Sequence, residues 1–130
     1  MKLKIKKFKK YTDFTGTLVP FYKDKSLDKF NIKRFFFLYG KKKFIRADHA
    51  HKKCNQILIP ISGTVKIEVF NLKKNKKTFT LSDKNKKYLF VPTFYYIKIK
   101  FLQKKGVLLT LCDYKYDKRD YIEKEEFFNL

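Results

Sequence analysis

His49 and His51 are the only histidines in this chain, and they stand two residues apart in Arg46-Ala47-Asp48-His49-Ala50-His51-Lys52-Lys53-Cys54-Asn55-Gln56. The segment reads as extended, so both imidazoles project from one face of a strand into one pocket. Imidazole, with an unperturbed pKa of about 6.5, both takes and gives a proton near neutrality. The pair therefore offers proton transfer or metal ligation. Two imidazoles and the neutral amide of Gln56 make a poor divalent site, because stable sites usually need three or more imidazole or anionic ligands. Nucleophilic catalysis has no triad to use: Asp48 lies beside His49 on the opposite face, and no Ser motif accompanies it. Metal-free acid/base chemistry is the expectation.

Positioning such a pocket requires a rigid frame, and the rest of the chain reads as short strands. Lys2 to Phe8 alternates apolar residues with lysine, as an exposed or partner-paired edge strand does. Gly16 to Pro20 turns into a short strand, and Lys23 to Lys29 is loop-like. Ile32 to Tyr39 is an aromatic strand ending at the turn residue Gly40, and the chain then reverses into Phe44 to His51. Gln56 to Ile61, Val65 to Phe70, Thr78 to Leu81, Tyr88 to Val91, Tyr95 to Phe101 and Val107 to Cys112 follow, separated by polar, Gly- or Pro-bearing turns. Only Lys118 to Phe127 supplies a helical turn or two. Eight or more strands in 130 residues predict one all-β domain over residues 1–130, an antiparallel sandwich or small barrel.

Composition narrows the partners. The formal net charge is +21, yet only Arg34, Arg46 and Arg119 of the 33 basic residues are arginine. Arginine is the side chain preferred for bidentate phosphate and base contacts. The lysines accordingly read as a solvated surface rather than a nucleic-acid footprint, and their field would also favour a phosphorylated small molecule. The basic opening lacks the apolar region of a secretory signal, and no run approaches the roughly 18 apolar residues of a membrane span. Cys54 and Cys112 read as reduced, buried thiols of a cytoplasmic protein.

The spacing Gly40-x8-His49-x-His51-x4-Gln56-x6-Gly63 resembles the first motif of the cupins, where His-x-His and a later Glu usually hold a metal. Gln56 stands in place of that Glu, and the region Thr93-Phe94-Tyr95-Tyr96-Ile97 lacks the His of the second motif. More specifically, Gly16-Thr17-Leu18-Val19-Pro20, Arg34 to Tyr39, Arg46-x-x-His49-Ala50-His51-Lys52-Lys53-Cys54-x-Gln56, Ser62-Gly63 and Asp120-Tyr121-Ile122 resemble the sugar nucleotide 3,4-ketoisomerases, from about residue 15 to residue 127. The resemblance implies a metal-free, cofactor-free cupin jelly roll converting dTDP-4-keto-6-deoxy-D-glucose into a 3-keto-6-deoxyhexose nucleotide, the precursor of 3-amino sugars on surface glycans such as lipopolysaccharide. It also implies a homodimer with exchanged N-terminal strands, to which residues 2–8 are suited. On this reading His49 is the base that removes the C3 proton and returns one at C4. His51 orients the substrate or its partner imidazole, or carries the oxygen-side proton.

Arg46 is the expected cation, for the diphosphate or the enediolate. In a regular strand it would face away from the histidines, so a bulge or turn must intervene. Tyr39 is the tyrosine available for the proton shuttle that this family uses on the preceding strand. Gln56 hydrogen-bonds a sugar hydroxyl, holds a His tautomer or is a satisfied core amide. Tyr95 or Tyr96 stacks on the base or hexose, or packs in the core. The rival reading is a non-catalytic cupin or small barrel binding an anionic ligand, a glycan or single-stranded nucleic acid through lysines and exposed aromatics.

Overall fold

The alternation in the sequence becomes twelve strands and one short helix among residues 2–130, which this computed structural model describes. The strands are β1 (Lys4–Lys7), β2 (Tyr11–Asp13), β3 (Gly16–Leu18), β4 (Arg34–Lys41), β5 (Ile45–His51), β6 (Gln56–Ser62), β7 (Thr64–Phe70), β8 (Lys76–Ser82), β9 (Lys87–Val91), β10 (Tyr96–Phe101), β11 (Lys105–Cys112) and β12 (Tyr121–Ile122), with helix α1 at Lys124–Phe128. Two five-stranded sheets face each other, ordered β1-β9-β6-β11-β4 and β12-β5-β10-β7-β8, and β2 and β3 form a separate hairpin. Every pairing is antiparallel. This is the expected all-β jelly-roll sandwich. None of its helices is long and apolar enough to cross a membrane, among the described residues.

Three apolar clusters hold the layers. Leu58, Val65, Ile67, Leu89, Ile99, Phe101 and Leu108 fill the space between the sheets. The outer face of the first sheet is covered by Leu27 and Phe30 of the long β3–β4 connection, packed on Ile57, Ile59, Phe90 and Leu111. The C-terminal residues Ile122 and Phe127 cover Ala50 and Tyr96 on the outer face of the second. Clearing such side chains from water contributes roughly 1.5–3 kcal/mol each.

Gly40 differs from the sequence expectation. It is not a turn residue but lies buried inside β4, opposite Gly106 of β11. The Phe101 ring rests on both glycines, and an added Cβ at Gly40 would overlap it. Gly63 does turn the chain, between β6 and β7, with a φ of +88° that favours glycine. Strand β1 takes its edge position beside β9, with Ile5 opposite Leu89.

Candidate active site

Alternation along β4 turns Arg34, Phe36 and Leu38 inward and leaves Phe35, Phe37 and Tyr39 exposed. The inward side chains form one wall of a cavity of about 300 Å³ between the sheets, completed by Gln56, Leu58 and Thr110. Arg46, Ala47, His49, Ile97 and Ile99 of the second sheet form the facing wall, and Tyr116 and Tyr121 close one side. The volume lies at the lower end of the range for small-molecule sites.

Arg46 reaches this cavity by the irregularity its parity demanded. Ala47 and Asp48 both adopt left-handed backbone, with φ of 64° and 62°. The register with β10 accordingly skips Asp48, passing from Ile97–His49 to Lys98–Ala47. Two such non-glycine residues cost on the order of 1–2 kcal/mol each. Two contacts offset this: the Tyr96 hydroxyl donates to Asp48 Oδ1 at 2.5 Å on the outer face, and His49 Nδ1 lies 2.8 Å from the Ala47 carbonyl oxygen.

The second contact settles the protonation pattern of the site. A carbonyl only accepts, so His49 Nδ1 carries the proton and its Nε2 is bare. That Nε2 lies 3.1 Å from His51 Nε2, and His51 Nδ1 lies 2.6 Å from Asp120 Oδ2. Lone pairs do not face each other at such distances. One proton therefore sits on His51 Nε2. The His51–Asp120 contact is buried, each residue being 4% exposed. Asp120 Oδ1 accepts from the Lys53 and Cys54 amides at 2.6 and 3.3 Å, fixing the carboxyl group.

Burial, reinforced by the neighbouring His51, lowers the His49 pKa to about 4. His51 is also lowered, desolvation outweighing the opposing pull of Asp120. His49 is thus a neutral base at pH 7, facing the cavity, with the His51–Asp120 pair behind it. The Tyr121 ring packs on both imidazoles, its centroid 4.6 Å from each.

The residues singled out from sequence divide accordingly. His49, Arg46 and Gln56 line the cavity, and His51 stands directly behind His49. Gln56 also donates to Cys112 Sγ at 3.8 Å. Tyr39 does not reach the site: it is 74% exposed on the outer side of β4, because it shares the parity of Phe35 and Phe37. Tyr95 is absent from the cavity wall and packs against the main core, whereas Tyr96 is the clasp on Asp48. Arg34, Phe36, Thr110, Tyr116, Tyr121 and Asp120 received no role from sequence. For Arg34 and Phe36 a signal existed, their shared parity with Leu38. For Asp120, 69 residues from His51, none did.

Metal ligation fits poorly. His51, Cys54 and Asp120 place ligand atoms within 4.8 Å of one another. Both Asp120 oxygens are already engaged by protein donors, and the Cys54 thiol donates to the Asn55 carbonyl oxygen at 3.4 Å. The Nε2 atoms of the two histidines point at each other rather than at a common ion.

Residues 1–130 match the family described as FdtA, WxcM-like, C-terminal. This chain belongs to that family. Among its relatives is the TDP-4-oxo-6-deoxy-alpha-D-glucose-3,4-oxoisomerase of Aneurinibacillus thermoaerophilus, 29% identical over 98% of this chain and 91% of the relative. A 3,4-ketoisomerase from Helicobacter canadensis superposes with a TM-score of 0.86 at 29% identity, covering 99% of this chain and 96% of that one. The sugar 3,4-ketoisomerase QdtA from Thermoanaerobacterium thermosaccharolyticum, solved in complex with TDP, gives 0.85 at 29% identity, covering 98% and 92%.

Proposed function

We propose that this chain is a sugar nucleotide 3,4-ketoisomerase that moves the ketone of TDP-4-keto-6-deoxy-D-glucose from C4 to C3. The observation carrying this reading is His49, a neutral imidazole facing a cavity that also holds two arginines, backed by the buried His51–Asp120 pair. His49 turns its bare Nε2 from His51 to the substrate and removes the C3 proton, and the electron pair of that bond becomes the C3–C4 double bond as charge passes to O4. The enediolate then takes a proton on C4 from the same imidazole, while the hydroxyl proton moves from O3 to O4. The reaction is redox-neutral, and general acid/base catalysis of this kind contributes about 10²–10⁴-fold. His51 Nε2–H, freed as His49 turns, relays the oxygen-side proton, giving one to O4 and taking one back from O3. Arg46 serves the diphosphate or the enediolate, and Gln56 a sugar hydroxyl.

The same reading places the enzyme in the cytoplasm, in the supply of 3-amino sugars for surface glycans. It also makes the enzyme a homodimer with exchanged N-terminal strands. The aromatic outer side of β4, with Phe35 60% and Phe37 49% exposed, and the projecting β2–β3 hairpin support a partner of the same kind; light scattering of the purified protein reads the mass.

Proton NMR in D2O with TDP-4-keto-6-deoxyglucose and a chelator tests the activity. A 3-keto sugar carrying solvent deuterium at C4 is expected with the wild type and lost in His49→Asn. Unchanged substrate with the wild type would reject the assignment. Salt-sensitive oligonucleotide binding, indifferent to both histidines, would then favour a binding module.

A further inference from the structure

Of the two arginines on the cavity, only Arg34 has a buried donor without a partner, among the described residues. Arg34 Nη2 is fully buried and has no hydrogen-bond partner. A guanidinium carries five donors, and leaving a charged one buried and unpaired is costly. The rest of the group is firmly held. Its plane lies near the rings of Phe36 and Tyr116, with Cζ 5.6 and 5.7 Å from their centroids. Its Nε makes one long contact, 3.5 Å, to the Tyr114 carbonyl oxygen. Tyr121, whose ring packs on both imidazoles, lines the same cavity. A rigid, partly unsatisfied cation thus stands across the cavity from His49. Arg46, in contrast, is exposed and sits on the bulge.

We infer that Arg34 Nη2 donates to the oxygen that becomes negative as the C3 proton leaves, and that Arg46 binds the diphosphate. The inference rests on the ketoisomerase reading. Charge developing inside a water-poor cavity gains most from a donor that is already oriented and desolvated, since nothing must reorganise when the bond breaks. A diphosphate arrives fully charged and lies outside the hexose, which suits an exposed arginine. Arg34 would then act in the transition state and Arg46 mainly in binding.

The test compares Arg34→Met with Arg46→Met in the NMR assay, with TDP affinity measured by calorimetry. Arg34→Met is expected to lower kcat by about 100-fold while TDP affinity changes by less than about threefold. Arg46→Met is expected to do the reverse, weakening TDP with the smaller effect on kcat. Guanidinium ion added to Arg34→Ala should restore part of the lost rate, which a merely structural defect would not allow. If Arg34→Met does not fold, Arg34→Lys, which keeps the charge but loses the fork, is held to the same two criteria. The inference is overturned if Arg34→Met keeps kcat within about threefold of wild type, or if its TDP affinity falls as far as its kcat. A wild type that leaves the keto sugar unchanged overturns the parent reading as well, whereas an active wild type beside an equally active Arg34→Met overturns the inference alone.

Discussion

The two walls of the cavity are built by opposite means. On the first, β4 keeps strict alternation, and Arg34, Phe36 and Leu38 arrive in the cavity because they share one parity. On the second, two left-handed residues break the alternation of β5 so that Arg46 and His49, three apart, face the same space. The regular wall needs no device beyond the ladder. The irregular wall is held by contacts outside it, from Asp120 near the C-terminus and Tyr96 on the neighbouring strand. Regularity supplies the container here, and the paired histidines sit where the regularity is broken.

The largest effect should come from removing the outside support. Asp120→Ala removes the carboxylate that now serves His51 Nδ1 and the Lys53 and Cys54 amides. An unmatched buried donor follows, at about 2–4 kcal/mol of stability. Without its carboxylate partner His51 is no longer held in place behind His49, and kcat should fall about 100-fold. The isomerase assay and urea denaturation read the two losses separately. An unchanged kcat would break the claim that the irregular wall depends on the C-terminal segment.

Most of the regular wall was legible in the sequence, and little of the irregular one. Period-two patterning located β4, β6, β7, β9 and β11 to within about two residues, because half-buried strands carry their burial on their surface. Parity also demanded a break between Arg46 and His49 without saying how it would be built. Three things were not legible: that Asp120 meets His51 across 69 positions, that Tyr96 holds the bulge, and that Gly40 is needed for Phe101 rather than for a turn. Each depends on a tertiary contact that local propensity does not encode.

Next in size is the pH response of the irregular wall. His49 has a pKa of about 4 in the fold against its ordinary 6.5. As a base it must be neutral, so kcat/KM should hold down to the region of pH 4 and then fall about tenfold per pH unit. Stability has the same sign. The unfolded chain takes up the proton first, so the contribution is fully present above pH 6.5, declines as pH falls, and is lost by about pH 4, up to about 3 kcal/mol in all. Thermal melts of wild type and His49→Gln across this range should converge at low pH.

The regular wall breaks differently. Gly40→Ala forces the Phe101 ring out of its seat on β4 and β11, which should cost about 1–3 kcal/mol in chemical denaturation. The substituted residue is on β4 but not on the cavity, so kcat of the folded fraction should stay near wild type. Tyr96→Phe makes the converse change. It deletes the donor to Asp48 and leaves the core packing of the ring, so the bulge loosens and Arg46 loses its fixed approach. A rise in KM of about fivefold is expected, with a smaller change in kcat and about 1–2 kcal/mol less stability. Asp48→Asn alone, which still accepts from the Tyr96 hydroxyl, should stay close to wild type in KM and in stability.

The smallest effect sharpens the comparison most. Tyr39 is the tyrosine nearest in sequence to the family's proton shuttle, yet parity sends it outward while Phe36, with no hydroxyl, takes the inward position. If alternation alone governs the regular wall, Tyr39→Phe removes a solvated hydroxyl remote from the cavity, and kcat and KM should both stay within about twofold of wild type. A tenfold fall in kcat would mean that β4 changes its register or its partner when substrate binds. In that event the first wall would be as conditional as the second. Proton transfer between the sugar oxygens would then have a hydroxyl relay beside the one proposed for His51.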